Sequence, residues 1–133
     1  MNIEDLIENF SFLDGWEEKY KYIIELGEHL EPLDETFRTE EWKVRGCQSQ
    51  VWLEPIVKDG KISFKGDSDA FIVKGLIAIV LMIYSNKSAQ EIKNIAVEEI
   101  FAKLGLQEHL SPSRRNGLFS MVEKIKYYAA TLG

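Results

Sequence analysis

Residues Gln50–Asn86 read QVWLEPIVKDGKISFKGDSDAFIVKGLIAIVLMIYSN. Two runs, QVWLEPIVK and KISFKG, flank Asp59-Gly60, a dipeptide suited to the left-handed backbone of a two-residue type I′ turn, so the segment predicts a β-hairpin. Pro55 has no N–H to give to a ladder and is expected at a sheet edge or a bulge. Asp67, Ser68 and Asp69 stand where side-chain oxygens cap the free amides of a helix start and suit its positive end. The helix that follows, Phe71 to Tyr84, is apolar nearly all round, which predicts the central helix of the core. Upstream, Trp42 to Arg45 adds a short strand, for an α+β fold with a small antiparallel sheet of about three strands packed on helices.

Helical patterns lie on both sides of this centre. IEDLIENF places Ile3, Leu6, Ile7 and Phe10 on one side of a short helix. In the next, Trp16, Tyr20, Ile23, Ile24, Gly27 and Leu30 share a face, with Glu17, Glu18, Lys19 and Glu25 off it. A glycine inside a helix costs about 1 kcal/mol relative to alanine, so Gly27 marks a close packing contact. Pro32 ends that helix, and Glu31 to Glu41 reads as an irregular acidic crossing. Ser88 and Glu91 have capping-box spacing, and Gly105 closes a helix running from about Val97. The last helix starts at Ser111-Pro112 and is expected to bury Leu118, Met121, Val122, Ile125, Ala129 and Leu132.

A chain of 133 residues has the length of one domain, residues 1–133, and buries a core without disulfides. Hydrophobic residues at 45% and charged residues at 29% describe a globular protein. The net charge of -6 argues against nucleic acid as a partner, because phosphate binding needs Lys and Arg gathered on one face. Phe71 to Tyr84 is about 21 Å long as a helix, short of a hydrocarbon core of roughly 30 Å, so no membrane span is expected. MNIEDLIENF has acids where a signal peptide has a basic region, which points to the cytoplasm. One cysteine forms no internal disulfide and, without other ligands, no metal or iron–sulfur site; His29 and His109 are far apart in the chain.

That cysteine, Cys47, lies in RGCQSQVW, Arg45 to Trp52. A free cysteine is commonly a small buried hydrophobe. Here Arg45, Gln48, Ser49 and Gln50 are no core-strand context, and Gly46 permits a turn that presents the side chain at a loop tip. A free thiol is about 3% thiolate at pH 7, and Arg45, Lys43 and loop amides would raise that fraction. Local composition leaves core filler and sulfur-transfer nucleophile both open. A cysteine hydrolase would need His29 or His109 as its base, and both stand near helix ends. Arg114 and Arg115 oppose the dipole of the last helix, which calls for a bridge to Asp67 or Asp69, or a direct role. Trp42 and Trp52, on either side of the loop, pack beneath it or anchor a partner.

Four stretches in order, WEEKYKYIIELG, GCQSQVW, GDSDAFIVKGLIAIV and HLSPSRRNGL, resemble the SufE family of sulfur-acceptor proteins, of which CsdE is a close relative. The resemblance spans essentially the whole chain. It implies an α+β domain similar to the scaffold protein IscU, working in iron–sulfur cluster assembly. It further implies a partner, a pyridoxal-phosphate-dependent cysteine desulfurase (SufS/CsdA-like), whose persulfide sulfur passes to Cys47 and on to a scaffold protein. On this resemblance the protein is a carrier and desulfurase activator rather than a stand-alone enzyme, and the pyridoxal phosphate belongs to the partner. Arg45, Gly46, Gln48 and Ser49 fall on or beside the loop of Cys47, while Asp69 and Arg114 match family positions near it. Family members in the free state tuck the cysteine into an apolar hollow. Trp42 and Arg115 depart from the family pattern. A non-catalytic docking regulator is the other reading, and a homodimer is left open.

Overall fold

The computed structural model describes residues Met1–Gly133. Asp59 and Gly60 take φ values of 53° and 75°, so the two-residue turn forms as the dipeptide requires. It joins β1 (Val51–Lys58) to β2 (Lys61–Ser68), antiparallel, with Lys58 opposite Lys61 and Val51 opposite Ser68. Val51 and Leu53 turn their carbonyls away from β2, to the Val44 amide at 2.8 Å and the Tyr128 hydroxyl at 3.2 Å. Pro55 falls in the same phase, so its missing N–H costs the ladder no bond.

The sheet has two strands. Where a third was expected, Lys43 makes a single bridge to Trp52 and the pairing stops. The reason is local: Glu40–Trp42 is a 3-10 turn on one side, and the loop of Cys47 begins at Arg45 on the other. A companion 3-10 turn, Glu35–Phe37, occupies the acidic crossing.

Seven helices complete the chain: α1 (Ile3–Ser11), α2 (Gly15–Glu28), α3 (Phe71–Tyr84), α4 (Ala89–Lys93), α5 (Val97–Leu104), α6 (Leu106–His109) and α7 (Pro112–Leu132). The central one is α3, with α2, β2 and α7 against it. Its buried residues, among them Val73, Leu76, Ile79 and Ile83, lie on several sides, as an all-apolar helix demands. The 28 buried apolar residues in contact form one cluster, so there is one core and no second. No helix is long and apolar enough to cross a membrane.

The approach of α2 to α3 is made by two glycines. A Cβ on Gly75 would run into the Ile23 carbonyl oxygen, and one on Gly27 would lie 2.6 Å from the Gly75 amide nitrogen. The helix penalty of Gly27 is thus offset by backbone-to-backbone contact.

Several caps are as expected. Ser88 and Glu91 exchange the two bonds of a capping box, Gly105 is left-handed at φ 71°, and Ser111 accepts the Arg114 amide at 3.3 Å. The start of α3 is different: its N-cap is Ala70, with no side-chain cap. Asp67 and Ser68 lie in β2 instead, both buried. A buried carboxylate needs cations, and Asp67 has Arg38 beside it and Lys74 at 3.7 Å. It therefore ties the acidic crossing to strand and helix at once. Leu132, expected in the buried stripe of α7, is 45% exposed: α4 meets this end of the helix through Ala89 beside Gly133 and leaves Leu132 on the open side.

Gly75→Ala is expected to lower the unfolding free energy, read from the urea midpoint, by about 2 kcal/mol or more, since forced overpacking outweighs the gain of about 1 kcal/mol in helix propensity. An unchanged or raised midpoint would show that the two helices part without loss.

Candidate functional site

Residues 45–50 form a closed loop between the Lys43 bridge and β1. Its base is held by the Val44 amide on the Val51 carbonyl. A second clasp joins it to the start of α3: the Gln50 amide donates to Asp69 Oδ1 at 3.0 Å, and the Asp69 amide donates back to the Gln50 carbonyl at 3.4 Å. Asp69 anchors the loop and does not face the sulfur's hollow. Gly46 turns the chain with φ at 90°, and a Cβ there would come within 2.6 Å of Ser120 Oγ on α7. Only glycine satisfies both demands.

The next residue, Cys47, points inward and is partly buried. Its Sγ–H donates to the Gly117 carbonyl at 3.6 Å, and a Cβ on Gly117 would stand 3.4 Å from Sγ. Beside the sulfur is a hollow of about 240 Å³. Val73 and Leu76 of α3 and Met121 of α7 supply its apolar lining. Gln48 and Ser49 of the loop lie on one side, and Ser111, Ser113 and Arg114 at the start of α7 on the other. The Arg114 guanidinium sits 5.9 Å from the centre of the Tyr20 ring and has no carboxylate partner. The bridge to Asp67 or Asp69 weighed for the arginine pair does not form, and Arg115 donates to the Gln107 carbonyl at 3.0 Å.

Two expectations about reactivity fail. Lys43 and Arg45 do not face the thiol; both turn to Glu40, at 3.6 and 3.5 Å, on the rim of a separate depression. With no cation against the sulfur, burial pushes the Cys47 thiol up from its ordinary value. Neither histidine lines the hollow: His109 stacks on Trp16 with ring centres 4.6 Å apart, and His29 borders another groove. A hydrolase has no base here. The tryptophans beside the loop pack rather than project: Trp42 meets Phe37 and Tyr128, and Trp52 is buried beneath Arg38.

The chain matches the family described as "SufE: Fe-S metabolism associated domain" over residues 4–129. The chain belongs to the SufE family. An uncharacterized SufE-like protein of Rhizobium meliloti is 50% identical over 129 residues, covering 94% of this chain and 92% of the relative. One from Rhizobium etli is 51% identical and covers 94% and 87%. The solution structure of a hypothetical protein from Thermus thermophilus superposes with a TM-score of 0.77 over 96% of this chain and 93% of that one; at 18% identity it speaks for the fold alone. SufE membership places the protein in iron–sulfur metabolism.

Sequence reasoning treats Val73, Leu76 and Met121 as core at most and passes over Gly117, Ser111 and Ser113 as site residues. Gly117 carries a signal of the same kind as Gly27, a glycine inside a long helix at a cost of about 1 kcal/mol.

Because the folded thiol is raised, native Cys47 holds less thiolate at pH 7 than the roughly 3% of a free cysteine. Its alkylation by iodoacetamide is expected to be slower than in the urea-unfolded chain and to reach half-maximum at a higher pH. A native midpoint below that of the unfolded chain would overturn the burial account.

Proposed function

We propose that this SufE-family protein is a sulfur acceptor and activator for a pyridoxal-phosphate-dependent cysteine desulfurase. The Cys47 thiolate attacks the outer sulfur of a persulfide on the desulfurase's cysteine. An S–S bond forms at Cys47, the partner's S–S bond breaks, and the partner's cysteine leaves as thiolate. The sulfane sulfur changes hands without an external oxidant or reductant. From Cys47 it passes to the scaffold that assembles iron–sulfur clusters, in the cytoplasm.

The observation that carries this reading is the setting of the one cysteine of a SufE-family chain: a glycine-turned loop, anchored at both ends, with Sγ beside a hollow of about 240 Å³. Pyridoxal phosphate stays with the partner, and this chain contributes the thiol. Since burial keeps that thiol protonated in the free chain, attack follows docking, when the partner draws the loop out. Arg114, the one charged side chain lining the hollow, lies exposed over Tyr20 and is at hand for the anionic sulfur once the loop is drawn out. Draining the desulfurase persulfide frees that enzyme for another turnover, which is how a carrier stimulates it.

Incubation with a pyridoxal-phosphate cysteine desulfurase and cysteine is expected to add one or more sulfur atoms to the intact mass, reversibly with reductant. Cys47→Ser should gain none and should fail to stimulate the desulfurase. Full stimulation by Cys47→Ser would instead make the protein a docking regulator with an incidental cysteine.

A further inference from the structure

The hydrogen bond of Cys47 is to the Gly117 carbonyl, and the thiol lies close against this turn of α7, 3.4 Å from where a Gly117 Cβ would stand. A carbonyl oxygen only accepts. A neutral thiol donates to it, whereas a thiolate, or a persulfide whose inner sulfur has lost its hydrogen, sets lone pairs against lone pairs. Nothing else in the hollow is bonded to the sulfur: Gln48, Ser49, Ser111 and Ser113 line it without a hydrogen bond to Sγ. Val73 and Leu76 of α3 and Met121 of α7 are apolar, and the one cation, Arg114, is exposed and leans over Tyr20. Other charges on the surrounding elements are engaged elsewhere: Lys74 of α3 with Asp67, Arg45 of the loop with Glu40, Arg115 of α7 with the Gln107 carbonyl. The loop's anchors are at its ends, Val44 with Val51 and Gln50 with Asp69, so residues 46–49 can leave the hollow without disturbing strand or helix.

We infer that Gly117 is a positioning residue whose carbonyl seats Cys47 in the discharged thiol form and releases the loop once Cys47 carries sulfur. This rests on the sulfur-acceptor reading and adds a direction to it: the empty carrier hides its thiol, and the loaded carrier presents its sulfur to the next acceptor.

The test charges Cys47 without any desulfurase, using sodium tetrasulfide. The thiolate takes the terminal sulfur of tetrasulfide, one S–S bond forming as another breaks, and trisulfide leaves; intact mass verifies the product. The rate of trypsin cleavage after Arg45, at the entry to the loop, is then compared in charged and discharged protein. The charged loop is expected to be cut about fivefold faster, the loss of one net hydrogen bond, and to slow again after reduction. Cys47→Ser, which keeps a donor, should be cut as slowly as the discharged wild type, and Cys47→Ala as fast as the charged form. Across the thiol titration the wild-type loop should loosen relative to Cys47→Ser at the same pH. Equal cleavage in charged and discharged protein overturns the proposal. So does a Cys47→Ala loop as protected as wild type, which would mean that apolar burial and not the Gly117 carbonyl is the seat. A chain that tetrasulfide charges but a desulfurase does not would strike the acceptor reading and leave the loop result standing.

Discussion

The rest of the structure depends on the contact of α2 with α3 through Gly27 and Gly75. With the Ile23 carbonyl oxygen occupying the space that a Gly75 Cβ would need, the two helices meet at backbone distance and neither has room to shift. That contact sets α3 in the middle of the core, and α3 in turn supplies Val73 and Leu76 to the hollow beside Cys47. The reactive residue is on a loop, but its surroundings are on helices held by close packing. A loop over a rigid floor can move while the floor keeps its shape.

Much of this was legible because the deciding signals are short-range. Asp59-Gly60 required one turn type, the apolar run after it had nowhere to go but the centre, and the caps at Ser88, Gly105 and Ser111 are patterns within four residues. The misreadings were of residues whose roles are settled by distant partners. Asp67 resembled a helix cap until Arg38, from the acidic crossing, claimed it. Trp42 to Arg45 had strand-like residues but only one bridge's length between a 3-10 turn and the loop.

The site divides the same way. Cys47 stood out by composition: one thiol, among polar residues, after a glycine. The basic neighbours that looked like its activators are adjacent in sequence and elsewhere in space, since Glu40 holds both Lys43 and Arg45. Arg114, far along the chain at the start of the last helix, lines the hollow that Arg45 does not. Sequence proximity misleads for a tight loop, because its direction reverses between one residue and the next.

The seat of Cys47 has a consequence for how the protein is made. Its carbonyl and much of its wall come from α7, which leaves a ribosome well after the thiol, since Cys47 precedes β1 and α7 begins at Pro112. Chains grow from the N-terminus, so every nascent chain passes through an interval in which the thiol exists and its shelter does not. During that interval the cysteine has the ionisation and exposure of a free thiol, and burial later lowers the thiolate that oxidants attack. Docking of α7 is the moment at which the sulfur comes under the protein's control.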